Sequence, residues 1–130
     1  MREPFHPSAD SLDLVAILAA LSDPTRLTIL LRLAEAEADI RCGDFTDLAT
    51  KSNLSYHFAK MREAGLVSLR SEGTSRFLTL RRDDSERQFP GLLDQLIASA
   101  KRMENRTRDL QDTASPDGSE SGSQRKPVRA

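Results

Sequence analysis

Cysteine is nearly missing from this chain. Cys42 is the only one in 130 residues, so no internal disulfide can form, and the composition fits a reducing, cytoplasmic setting. Histidine is almost as scarce: His6 and His57 are the only two. That leaves few candidates for a general base and no convergent set of metal ligands. There is no glycine-rich phosphate loop and no nucleophile with a base and an orienting partner, so no enzymatic activity and no cofactor are expected. Aromatics make up only 5%. No apolar run approaches the ~18 residues of a membrane-crossing helix, and the opening MREPFHPSAD has no apolar core of a secretion signal. Internal repeats are absent as well.

An excess of positive charge is also lacking. Lysine and arginine number 19 against 20 acids, a formal net charge of −1, which taken as a sum argues against a polyanionic partner. The distribution argues the other way. Lys51, Lys60, Arg62, Arg70, Arg76, Arg81 and Arg82 fall between Thr50 and Arg82, where Glu63 and Glu72 are the main acids. Glu35, Glu37 and Asp39 follow one helix, and Asp83, Asp84 and Glu86 mark a loop further on. A basic face on an acidic remainder can hold DNA without adhering to every anion.

The stretch TKSNLSYHFAKMREAGLVSLRSEGTSRFLTL, residues 50–80, is the most informative part of the chain. Thr50 is a good helix N-cap, and Leu54, Phe58, Met61 and the stem of Arg62 fall on one stripe, which predicts a buried face. The opposite face carries Lys51, Ser52, Asn53, Ser55, Tyr56, His57 and Lys60 with no carboxylate. Gly65 supplies the left-handed position that ends a helix, and Leu66 can fold back on the last turn. Val67, Leu69, Phe77 and Leu80 then alternate around Glu72-Gly73-Thr74-Ser75, the composition of a hairpin turn.

Elsewhere the pattern predicts a flexible arm over residues 1–10, a structured domain over 11–110 and a disordered tail over 111–130, rich in Ser, Gly, Pro and charge. Ser11 is the expected cap of a helix over Leu12–Leu21, apolar on more than one side, as if facing both a core and a partner. Asp23-Pro24 predicts a second helix start, continuing to about Ala38 as the central core element. Phe45, Leu48 and Ala49 suggest either a short helix or a packed turn. Pro90 is expected to open a last helix with Leu92, Leu93, Leu96, Ile97, Ala100 and Met103 on one stripe, reaching toward Leu110.

With these elements in place, ALSDPTRLTILLRL (residues 20–33) and LSYHFAKMREAGLV (54–67) resemble the ArsR/SmtB family of bacterial winged helix-turn-helix regulators, with Ser71-Glu72-Gly73 in the hairpin adding to the likeness. The resemblance spans roughly residues 11–105. It implies a mainly α fold of about five helices with one β-hairpin, a winged helix-turn-helix. It also implies a homodimer joined through the first and last helices, with Leu14, Leu18, Leu93, Leu96, Ile97 and Ala100 at the interface, and a repressor acting in the bacterial cytoplasm. The family's metal sensors carry a Cys-x-Cys pair or an Asp, His and Glu set on the last helix. Here Cys42 stands alone, and Asp94 and Glu104 have no histidine beside them, so no metal site is expected. Control then falls to a small molecule, an unusual metal site, or a regulatory protein.

The partners expected are therefore double-stranded DNA and a second copy of the chain. Ser52, Asn53 and Tyr56, near the helix start, are the base-edge candidates. Lys51, Ser55, His57 and Lys60 are placed on phosphates, although His57 can equally brace the helix against a neighbour. Arg70 and Arg76 flank the hairpin turn and can meet the backbone or minor groove, or simply discourage edge pairing. Arg81 and Arg82 are expected to neutralise Asp83 and Asp84. Arg26 is as suited to an internal ion pair as to a phosphate. Packing is the preferred reading for Cys42 and solvent exposure for His6. A winged-helix module that binds protein rather than DNA is the alternative function, because its core would look the same.

Overall fold

The computed structural model describes Pro4–Thr113. These residues fall into two compact units, one running through Ile97 and the other beginning at Ala98.

In the first unit, α1 (Leu14–Ala20) is capped by Asp13, whose carboxylate accepts the Val15 N–H at 3.2 Å. Ser11 is not the cap. It closes a 3-10 turn, Ala9–Ser11, and its hydroxyl donates backward to the Ser8 carbonyl at 2.9 Å, while Leu12 is extended and ends that turn. α2 (Pro24–Ala36) starts as the sequence predicts, with Asp23 accepting from Arg26 N–H at 3.1 Å and Pro24 in the first turn. It ends at Glu37, the one described non-glycine residue with positive φ (55°). Ile29, Leu30 and Leu33 of α2 are fully buried against Ile17, Phe45, Leu54, Met61, Leu66, Val67 and Leu78.

After α2 the chain takes the second of the two expected forms, a packed turn, with Leu48 and Ala49 against the core, preceded by a strand that the sequence did not suggest. Ile40–Arg41 is a short strand, β1, followed by a 3-10 turn, Cys42–Phe45. Phe45 is buried and meets Phe58 edge-on, with ring centroids 5.6 Å apart. The first helix of a helix-turn-helix is thus reduced here to one tight turn anchored by an aromatic.

α3 (Lys51–Glu63) follows, with Thr50 Oγ1 accepting from Asn53 N–H at 3.2 Å and Leu54, Phe58 and Met61 buried. Its end is double-closed: Gly65 N–H donates to Arg62 O and Leu66 N–H to Met61 O, both at 3.0 Å, with Gly65 at φ 84°. This is the Schellman pattern that glycine permits. It sends the chain directly into β2 (Val67–Glu72), which pairs with β3 (Ser75–Leu80) across Gly73-Thr74. Gly73 takes φ 61° at the first central position, as a tight hairpin turn of two residues requires. β1 adds to the far edge of β3, giving the antiparallel order β1-β3-β2.

α4 (Arg82–Gln88) occupies the stretch read from sequence as a loop. It has no apolar stripe, which is why periodicity misses it. Asp83 and Asp84 sit in its first turn, where acids favour a helix, and Ser85 turns inward. Pro90 does not open the last helix. α5 (Leu92–Thr113) begins after Gly91 (φ 80°), whose N–H is held by Glu86 at 3.1 Å. The five helices match the expected number, but the set differs, because α4 replaces a helix over 40–49.

The described part of the expected arm, residues 4–10, is tied to this unit. Arg62 donates to the Phe5 carbonyl, Arg81 Nη1 to the Pro7 carbonyl at 2.8 Å, and the Leu69 N–H to His6 Nε2 at 3.0 Å. His6 is therefore half-buried rather than solvated. Its imidazole satisfies an outward-facing amide on the edge strand β2, a group that would otherwise invite pairing with another chain.

In the second unit, α5 continues from Ala98 to Thr113 with Met103 and Leu110 exposed and an Arg108–Glu104 pair at 3.7 Å. The first three positions of the expected tail, 111–113, are helical, and the rest of it lies outside the described residues. No single described helix is long and apolar enough to cross a membrane.

Candidate nucleic-acid interface

The buried stripe of α3 fixes its rotation, so the residues between stripe positions point outward. Lys51, Ser52, Asn53, Ser55, Tyr56 and Lys60 are all exposed. The Tyr56 ring is the largest group on this face, with Lys60 Nζ 5.5 Å and the Arg26 guanidinium 6.0 Å from its centroid. These three residues also line a cleft together with Ala16, Ala20, Ala64 and the acid Glu63. The helix starts with its N-terminal amides unopposed by acid in the first turn, which leaves that end attractive to anions.

His57 does not belong with this set. Its side chain is only 13% exposed, Arg26 Nη1 donates to its Nδ1 at 2.9 Å, and Asp23 lies 3.9 Å away. Arg26 also donates through Nε to the Ala20 carbonyl at 2.5 Å. His57 and Arg26 are thus a brace that ties α3 to the start of α2, and of the two roles open to each in sequence, the structure places them in the internal one.

The other cations divide sharply. Arg62 is largely buried beside the arm. Arg81 reaches Asp84 at 2.9 Å, as expected, but Arg82 pairs with Asp94 of α5 at 2.6 Å rather than with its neighbours. Arg70 is held by Asp39 at 2.7 Å and lies 4.8 Å over the Phe77 ring. The register pairs Arg70 with Phe77 and Ser71 with Arg76. Alternation then puts Arg70 and Arg76 on opposite faces of the hairpin. Arg76 is exposed. Lys51 and Lys60 on the helix and Arg76 on the wing are the expected cations that face solvent without a described ion pair to an acid.

Cys42 packs half-buried against the core. Burial pushes its thiol up, with Arg76 opposing in part, so it is a poor nucleophile at neutral pH. Among the described residues no group of three or more His, Cys, Asp or Glu comes together to hold a metal.

The residues assigned from sequence to a dimer interface also divide. Leu14 and Leu18 are exposed, together with Val15 at 72%, which sequence reasoning left out. Leu93 is buried in the chain's own core, Leu96 and Ile97 pack half-buried against it, and Ala100 is buried too. Leu93, Leu96 and Ile97 of the stripe are thus engaged within their own unit.

A capped helix with an exposed polar face, free of acid from Lys51 to Lys60, seated on a tight turn and running through a Schellman stop into a β-hairpin, defines a winged helix-turn-helix protein. No family profile matches the chain. Over 82 residues it is 35% identical to the uncharacterized HTH-type transcriptional regulator YceK of Bacillus subtilis, covering 62% of this chain and 82% of that protein. It is 36% identical over 81 residues to the uncharacterized HTH-type transcriptional regulator MJ1325 of Methanocaldococcus jannaschii, covering 62% and 90%. Its fold is similar to that of HlyU from Vibrio cholerae, with TM-score 0.52 and 30% identity over 63% of this chain and 85% of that one. The M. tuberculosis protein Rv0081 matches with TM-score 0.51 and 26% identity over 78% and 92%. The chain belongs to the helix-turn-helix family of transcriptional regulators.

Proposed function

We propose that this regulator is a homodimeric repressor of the ArsR/SmtB type that occupies an inverted-repeat operator and blocks transcription there. The observation that carries the reading is the exposed face of α3, where Lys51, Ser52, Asn53, Ser55, Tyr56 and Lys60 lie together with no acid among them. Ser52, Asn53 and Tyr56, in the first turns, enter the major groove. Asn53 bonds a base edge and Tyr56 covers a thymine methyl. Lys51, Ser55 and Lys60 hold phosphates and set the register. Arg76 and, once released from its partner, Arg70 extend the contact through the wing. Two copies related by a two-fold axis read half-sites about one helical turn apart.

Selection of bound duplexes from random DNA, with and without a panel of divalent metals, tests this reading. It predicts a two-fold symmetric consensus that is indifferent to metal. Asn53→Ala is expected to lower the discrimination at one base pair by about 1–3 kcal/mol while leaving thermal unfolding unchanged. A chain with no affinity for duplex and a salt-insensitive protein partner would instead fit a protein-binding module.

The dimer contact is assigned to Leu14, Val15 and Leu18 on α1. Large apolar side chains left exposed this way fit a covered interface. Val15→Asp should shift sedimentation equilibrium toward monomer and weaken DNA binding in parallel, and an unchanged dimer would show that the interface lies elsewhere.

A further inference from the structure

Asp39, in the turn between α2 and β1, has both carboxylate oxygens engaged by the hairpin. Oδ2 accepts from Arg70 Nη2 and Oδ1 from the Thr79 hydroxyl, each at 2.7 Å. Ile40 pairs with Leu78, which puts Asp39 in line with Thr79 on the face that also carries Phe77 and Arg70. The guanidinium is thus fixed on two sides, by a carboxylate and by the Phe77 ring beneath it at 4.8 Å. Yet the arrangement is open to water, with the Arg70 and Asp39 side chains 43% and 37% exposed. An ion pair this exposed is weak and readily exchanged, and the anion it presents to Arg70 has the geometry and charge-assisted bonding of a phosphate oxygen.

We propose that Asp39 is a positioning residue for DNA binding: it stands in for a backbone phosphate in the free protein, holds Arg70 over Phe77, and hands it to the DNA when duplex arrives. The proposal rests on the DNA-binding reading above. Holding Arg70 in one arrangement reduces the rotamer freedom lost on binding. Competition from the carboxylate sets an upper limit on non-specific affinity. A purely structural clamp makes the opposite prediction, because its removal loosens the wing and weakens binding.

The test is titration of a mixed-sequence duplex, by fluorescence anisotropy at several salt concentrations, with the wild-type chain, Asp39→Asn, Arg70→Gln and the double variant. Arg70→Gln should weaken binding and reduce the salt slope by about 1. Asp39→Asn should tighten it about two- to fivefold, the range an exposed ion pair commands, and the gain should vanish in the Arg70→Gln background. Equal or weaker binding by a folded Asp39→Asn overturns the proposal. So does a gain that persists without Arg70, which marks a general charge effect. Failure of the wild-type chain to bind any duplex would overturn the DNA-binding reading itself, and is distinguishable because it precedes any effect of Asp39. If Asp39→Asn does not fold, the Arg70 guanidinium NMR signal of the wild-type chain answers the same question. It should shift as duplex saturates the protein, and an unmoved signal refutes the exchange.

Discussion

The reading helix and the hairpin root both looked cationic, yet they hold their charges on opposite terms. On α3, Lys51 and Lys60 project from a helix whose rotation is fixed by Leu54, Phe58 and Met61, and they reach solvent. Around the hairpin, Arg62 meets the Phe5 carbonyl, Arg70 meets Asp39, Arg81 meets Asp84 and Pro7, and Arg82 meets Asp94. The difference teaches that a count of arginines overstates the charge a surface can offer. Lysine on a helix face stays hydrated, whereas a planar guanidinium with several donors is readily recruited to fasten carbonyls and carboxylates. The paired arginines set where the wing stands in the free protein, and Lys51, Lys60 and the wing's own Arg76 are the cations that face solvent.

Removing the seat of the helix has the largest expected effect. Phe45→Ala should cost about 3–5 kcal/mol, read as a lowered urea midpoint, because Phe45 is fully buried and is the edge-on partner of Phe58. A smaller effect sharpens the contrast itself. Lys60→Gln should reduce the salt slope of DNA binding by about 1, whereas Arg82→Gln should leave that slope unchanged, since Arg82 opens α4, outside the helix and hairpin proposed to contact DNA, and pairs there with Asp94. Equal slopes for both variants would mean the Arg82 pair opens on binding. The smallest effect lies at the turn before α3, where Arg32 makes two bonds to Asp47, at 2.9 and 2.5 Å. The Arg32 hydrogen bond holds the Asp47 carboxyl below its ordinary value. A depressed folded value means the contribution is present above the unfolded pKa of about 4 and is lost as pH falls through the folded one. Asp47→Asn should therefore narrow the difference in melting temperature between neutral and strongly acidic solution, slightly, because the carboxylate is exposed and screened.

Much of the reading unit was legible in the chain. Thr50, the Leu54-Phe58-Met61 stripe, Gly65 and the Gly73 turn are each local signals, and each appears where the sequence puts it. The misses share a cause. β1 is two residues long and is a strand only because Ile40 and Arg41 find Leu78 and Phe77. α4 lacks an apolar stripe and is held by ion pairs such as Arg81–Asp84. Ser11 and Asp13 are both competent caps, and the choice between them falls to the docking of the arm, where Leu12 packs on Gly65 so closely that a side chain there would collide with it. His57 was open to two roles until Arg26 and Asp23 were seen beside it.

By itself, then, the sequence determined the elements whose energetics are local: caps that bond an amide three residues on, glycines that take positive φ, and an apolar stripe at helical spacing. Only the tertiary structure decided which cations face outward and which are fastened inside. An ion pair such as Arg70–Asp39 joins residues 31 positions apart, and no short-range pattern carries the information that they will meet.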